Sequence, residues 1–576
     1  MNSSKKLFCS VYYKEEKFRY LMNNKIKSDR ISDIKTRHVI LSLIVIITVG
    51  FIFRFYYLPH GLPVIADGLD YFAYSYQMAQ NGNFPKDWAL SNNGWPSFLS
   101  LFFSIINANT FIENILIQRI LSISISVLTA IPLFFLCNRF FNKTFSLVGV
   151  ALFIFEPRII INSTLGLIEP LYILVSVLIL FLFLNNSKSI YFSFLLAGIF
   201  AILRWEGLLL IFGMIILFII KNKFQQKNLL RLSICIMLIL LIVVPISYIN
   251  IENTGKDGLI TPLLTFGPGY IALWMTDDDN CPDGQIMQPV SVANNSDEKG
   301  MDCYPIDEYV KNDDSENIFY VLIKNGLTNT IKFFGWSLIP NFIIFFPIGL
   351  ILLIKNGLIK NWNSDKTIIL IFSISILLPA IYAYTRNFDD MKYLYITFPI
   401  ISIISLVFIN RFLNKNSKNK LFSLLIIIGI ILISLIFLEQ QFTQNNEIER
   451  ERYEISKFIA KNTEGINYSS FTKYLKAAEL ELGWPNIPNP DVSGHVSLKI
   501  KKFSFDSNST LIEFIKENKK KGLTHIITED MPDNSIFVNV YNNHEQYPFL
   551  EKIYDSTENE LISKVRIFKI NYDILS

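Results

Sequence analysis

The sequence predicts a polytopic α-helical membrane protein of about eleven transmembrane helices with a small α/β domain at its C-terminal end. Three observations carry that prediction: long apolar runs, basic residues at alternate turns between them, and a change to soluble composition near residue 440. Of 576 residues, 51% are hydrophobic and only 18% charged, a balance rare in soluble chains of this length. Runs of roughly 16 to 24 apolar residues suffice, at 1.5 Å per residue, to cross about 30 Å of hydrocarbon. The net charge of +4 matters less than its placement, because Lys and Arg beside spans stay cytoplasmic.

Lys25, Lys27, Arg30, Lys35 and Arg37 precede the first apolar run, His38 to Leu58, and mark residues 1–37 as a cytoplasmic basic tail. The run is too long for a signal-peptide core and no small-residue cleavage site follows, so it reads as a permanent span. Residues 59–113 are then an outer loop, where "YFAYSYQMAQNGNF" and "GWPSFLSLFFSI" interleave aromatic and polar residues like helices lying along the membrane face. Further spans fall near 114–137, 144–157, up to 184, 190–203, 207–220 and 232–250, with Arg139, Lys143, Lys188 and Lys221 at inner turns. The acidic, Pro- and Gly-containing stretch 251–327 is a second outer loop. Spans near 333–354, 367–384, 393–410 and 420–438 complete residues 38–439. An odd number of crossings from a cytoplasmic start leaves residues 440–576 outside the cell membrane. There "ERYEISKFIAKN" and "STLIEFIKENKKKGL" have helical spacing, while "THIITED" and "KVRIFKINY" read as strands.

Cys281 and Cys303 share the acidic loop and are disulfide candidates if it faces an oxidising exterior; Cys9, Cys137 and Cys235 lie in the tail or in spans. The five histidines lack metal-ligand spacing, no glycine-rich nucleotide loop is present, and no nucleic-acid partner is expected. Asn-X-Ser/Thr sequons stand at Asn162, Asn294, Asn467 and Asn508.

The informative charges of the membrane region gather at outer helix ends: Asp67, Asp70, Glu169, Arg204, Glu206, Arg386, Asp389, Asp390 and Lys392. Ionisable groups beside the apolar layer are costly and persist through pairing or function. Asp70 reads either as a helix cap or as a general base facing the membrane surface. Glu169 reads as a helix-start acid, and Arg204 with Glu206 as an interfacial ion pair beside Trp205. Alternatively, Arg204 offers a planar fork for a phosphate. Arg386 and Lys392 serve as snorkelling anchors or as cations beside a phosphate leaving group.

An Asp in the first outer loop, followed four residues later by Tyr74 and then "MAQNGNF", resembles the first-loop pattern of the GT-C glycosyltransferase superfamily. "TLGLIEP", "LRWEGLLLIFG" and "YTRNFDDMKYLYITFPI" follow in the order and sidedness of that superfamily, and the likeness covers most of residues 38–440. It implies an integral membrane glycosyltransferase that moves a sugar from a polyprenyl-phosphate donor to a glycan, lipid or protein acceptor at the extracytoplasmic face. It further implies catalytic roles for Asp70, Asp67 and Glu169, and substrate contacts for Tyr74, Arg204, Glu206, Arg386, Lys392 and Tyr393. Many members carry an Asp-Glu pair in the first loop, whereas Tyr71 follows Asp70 here; Asp67 is the candidate for the second charge. The metal is unknown, with a divalent cation the open cofactor. The rival readings are an oligosaccharyltransferase, whose paired-Trp motif is missing because Trp484 is the tail's one Trp, and a transporter or flippase, for which no internal repeat is visible.

Overall fold

The computed structural model describes residues 36–575 except 261–284, 290–300, 306–317, 356–363, 386–389, 414–418, 443–445, 491–494, 506–509, 531–535 and a few single positions or pairs (87, 89, 91, 107, 186–187, 223–224, 489, 560). Among the described residues, six helices are long and apolar enough to cross a membrane: Thr36–Tyr56, Phe111–Asn138, Gln226–Thr254, Ile368–Thr385, Met391–Leu413 and Lys420–Gln440. Lys143–Ile154 and Pro157–Thr164 make a seventh if taken as one span bent by 53°. The bend has a local cause: Pro157 opens the second helix and holds Glu156 in extended backbone, breaking the hydrogen-bond ladder. Glu169–Leu184, Ser189–Leu203 and Gly207–Asn222 are shorter apolar helices; at 15 or 16 residues they reach about 24 Å. The expected count of about eleven is therefore not what length and composition support. Helices do form near every expected span, but several are too short or too broken to cross alone.

The loop after the first span holds the two expected helices, Asp67–Asn81 and Gly94–Phe103; the first is buried from Gly68 to Ser75. Two acids in its first turn suit the N-terminal dipole of Asp67–Asn81. Gly82, in the left-handed conformation (φ 67°), ends it. Gly94 lies so close to the backbone of Ile202 and Leu203 that a Cβ would sit 2.9 Å away, which seats this loop on the helix bundle.

A two-stranded hairpin, β1 (Gln285–Pro289) and β2 (Met301–Pro305), lies in the acidic loop. Cys303 is on β2, whereas Cys281 lies outside the described residues, as do Arg386 and the sequons at Asn294 and Asn508. The other two sequons are not surface sites: Asn162 and Asn467 are buried, and Asn467 exchanges hydrogen bonds with the Ile527 backbone.

Beyond residue 446 lies a mixed sheet of β3 (Gly465–Asn467), β4 (Lys501–Phe503), β5 (His525–Glu529), β6 (Leu550–Asp555) and β7 (Val565–Ile570), in the order β4-β3-β5-β7-β6. β3 runs parallel to β4 and β5, while β7 is antiparallel to β5 and β6. Helices Asn446–Asn462, Leu475–Gly483, Leu511–Lys519 and Ile536–Asn542 surround it. Trp484 joins this unit to the first outer loop: its ring packs 4.3 Å from Tyr76, 5.8 Å from Phe72 and 5.6 Å from Phe111, centroid to centroid.

Candidate active site

The loop that leads into Asp67 is fixed from below. Arg119, buried on Phe111–Leu128, donates to the carbonyls of Pro59 (2.7 Å) and Pro63 (3.0 Å). Its neighbour Gln118 donates to Gly68 O (3.0 Å) and Gly166 O (2.7 Å). Ala66, just before the helix, has φ 48° and ψ −133°, a strained conformation for a residue with a Cβ and one found at functional turns.

Asp67 stands next, with its side chain 44% exposed and bonded to Lys392 Nζ at 2.8 Å. Lys392 also meets Asp390 at 3.3 Å, and Asp390 caps the 3-10 turn Met391–Thr397 by accepting from the Lys392 N–H. Burial pushes the Asp67 carboxyl up, but the charge and hydrogen bond of Lys392, with Arg204 and His495 further off, outweigh it and hold Asp67 below the usual carboxylate range. Asp67 is thus an anion at neutral pH. Two cavities border it. One, of about 650 Å³, is walled by Asp390, Lys392, Tyr395, Arg119 and Glu449, with apolar Leu62, Leu165 and Leu167. The other, of about 490 Å³, lies between the first-loop helix and the C-terminal sheet unit.

Asp70 occupies a different environment one turn along. It is 4% exposed, and its two oxygens are bonded to His495 Nδ1 (2.6 Å) and the Val496 N–H (2.8 Å). It does not cap its helix, which begins at Asp67 without a side-chain cap, and it lines the smaller cavity together with Asp67. Through these bonds its carboxylate ties the C-terminal unit to the first loop.

Behind Lys392, Arg204 sits between Glu169 (3.3 Å) and Glu206 (3.5 Å), all three buried. The Tyr393 ring lies 4.9 Å under the guanidinium. With a carboxylate on either side, Arg204 is charge-paired within the protein. The ion-pair reading of Arg204 and Glu206 therefore fits, enlarged by Glu169, which opens its helix as anticipated. Tyr74 is buried edge-on against Trp88 at 5.5 Å, away from both cavities. Among the described residues, no three His, Cys, Asp or Glu side chains converge as a metal would require.

No protein-family model and no curated protein matches the chain. Solved structures do. The oligosaccharyltransferase of Archaeoglobus fulgidus, in complex with Zn and sulfate, superposes with TM-score 0.51 at 10% identity over 84% of this chain and 68% of its own. ArnT from Cupriavidus metallidurans, in the apo state, gives TM-score 0.50 at 10% identity over 92% and 98%. The chain has the GT-C fold.

The apolar helices and the shared fold support a multi-pass membrane protein with two helices in its first long loop and a C-terminal sheet unit. Within the C-terminal sheet unit, the lysine, glutamate and histidine side chains of the cavity walls, Glu449, Lys473, Lys476, His495 and Lys502, escaped sequence reasoning as site candidates. They lie in a stretch whose composition signals only a soluble unit. His495 alone had a usable cue, as one of five histidines in the chain.

Proposed function

We propose that this protein transfers a sugar from a polyprenyl-phosphate donor to an acceptor hydroxyl at the extracytoplasmic face. The observation that carries the reading is Asp67, a part-exposed carboxylate bordering both cavities and held 2.8 Å from Lys392. The larger cavity, part apolar and part charged, suits a lipid-linked donor, with Lys392 beside the phosphate. The smaller one suits the acceptor. As the acceptor oxygen bonds to the anomeric carbon, the bond from that carbon to the phosphate oxygen breaks. The lipid phosphate leaves with the electron pair, next to the Lys392 cation, and the acceptor proton passes to Asp67. Asp70, Glu169, Arg204, Glu206 and Tyr393 are positioning residues: Asp70 places the C-terminal unit, and the others fix the floor behind Lys392. The sidedness is supported at the far end of the bundle, where Lys143 meets Thr36 at the start of the first span, as basic cytoplasmic turns do.

The test is transfer by the purified full-length chain, supplied with polyprenyl-phosphate sugars and hydroxyl acceptors. Asp67→Asn is expected to lower the rate by about a hundredfold or more, and Asp70→Asn by less. Wild-type rates in the Asp67 variant would remove that residue from the chemistry. Metal-dependent transfer of a lipid-linked glycan to a sequon peptide would favour the oligosaccharyltransferase reading, since one such structure of the Archaeoglobus enzyme holds a tethered acceptor peptide with an NVT sequon. Flux of the lipid into proteoliposomes without covalent transfer would favour a flippase.

A further inference from the structure

The smaller cavity contains three lysines whose charges are treated differently. Lys473 is paired with Glu449 at 2.7 Å. Lys476 and Lys502 are half-buried, and among the described residues neither ammonium has an ion-pair or hydrogen-bond partner. The neighbouring acids are engaged elsewhere. Glu529 accepts from the Ser469 and Ser470 hydroxyls, and Glu479 accepts from the backbone N–H groups of Lys499 and Ile500 at 2.9 and 3.0 Å. Burial and the adjacent Lys476 charge push the Lys502 ammonium down to about 8. Its Nζ lies 5.5 Å from the centre of the Tyr468 ring. Two cations drawn partly out of water beside each other are unfavourable, and an anion entering the cavity would relieve both the repulsion and the desolvation.

We propose that this cavity holds an acidic saccharide as acceptor, with its carboxylate or phosphate on Lys476 and Lys502, a ring against Tyr468 and a free hydroxyl toward Asp67. The proposal rests on the transferase reading above and adds the acceptor class to it. The volume of about 490 Å³ is in the range of small-ligand sites. An acidic peptide fits less well, because β4, the sheet edge that carries Lys502, has three residues, too short a template for an added strand.

Calorimetric titration of the full-length protein in nanodiscs, without donor, tests this with cellobiose, its uronic-acid counterpart cellobiouronic acid, and an acidic tetrapeptide. The acidic disaccharide should bind about tenfold more tightly than the neutral one, the equivalent of one charge-assisted contact. Lys476→Met and Lys502→Met should erase that preference, and Lys502→Arg should keep most of it. Lys502→Met should also melt at a higher temperature than wild type in the absence of ligand, because it removes a repulsive charge; this shows that the variant is folded. Equal binding of both disaccharides, no binding of either, preference for the peptide, or an acid preference surviving both Met variants would each overturn the proposal. Because the titration needs no donor, it is independent of the transfer assay: a chain that binds the acidic disaccharide here but transfers no sugar when donors are supplied would overturn the transferase reading alone.

Discussion

Two charge clusters flank Asp67, and they are balanced in opposite ways. Toward the membrane, behind the Asp67–Lys392 pair, Arg204 is enclosed by Glu169 and Glu206. Toward the C-terminal sheet unit, Lys476 and Lys502 face the cavity with no ion pair among the described residues, Glu479 acting on Lys502 only from a distance. A cluster that neutralises itself is a scaffold, since its charges are already committed. A cluster left unbalanced stores a preference for whatever supplies the missing charge.

The comparison breaks most visibly at Arg204. Arg204→Met leaves two buried carboxylates unmatched and is expected to cost about 3–5 kcal/mol; adding Glu169→Gln and Glu206→Gln should restore much of the melting temperature. A variant as stable as wild type would mean that Arg204 is not the keystone of the inner cluster. Next in size is Asp70→Asn, which weakens charge-assisted bonds to His495 and Val496 worth about 1.5–3 kcal/mol. Faster amide exchange at Val496 is the readout, and unchanged protection would show that the clamp does not depend on the charge.

A third effect is a pH slope. Burial, aided by the Lys569 charge, lowers His525 from its ordinary value of 6.5 to about 4, with Nδ1 against the Thr524 hydroxyl at 2.8 Å. Between those values the unfolded chain binds the proton and the folded chain does not. The stabilising contribution is therefore complete above about pH 6.5 and declines as pH falls toward about 4. The melting temperature should drop across that window, and His525→Gln should flatten the drop; an identical slope in the variant would assign it to other groups.

Much of the fold was legible because hydropathy and helical spacing act over short stretches. Apolar runs gave the bundle helices, "THIITED" and "KVRIFKINY" became β5 and β7, and interleaved aromatics marked the two first-loop helices. The span count was less legible, since a 16-residue apolar run is equally consistent with a short crossing and with a buried helix. For the candidate site, residue types singled out charges in separate loops but not which of them meet. Asp67 and Lys392 are 325 positions apart, and Asp70 and His495 are 425 apart. Only the fold reveals that the acid three residues earlier is the exposed one, because helical rotation turns Asp70 into the C-terminal interface. Lys476 and Lys502 carried no cue at all, as lysines in a soluble unit ordinarily face water.

Trp484 has a bearing on how such proteins can be re-engineered. Its ring fills the space between Phe72, Tyr76 and Phe111, and its indole N–H reaches Asn109 O at 3.3 Å. The outer unit is therefore no interchangeable cartridge. A chimera that swaps residues 446–575 for another ectodomain must import its own aromatic plug and a partner for Asp70, or redesign the helix that presents Asp67. The seam to preserve in such grafts runs through the first outer loop, far in sequence from the point where the two halves would be spliced.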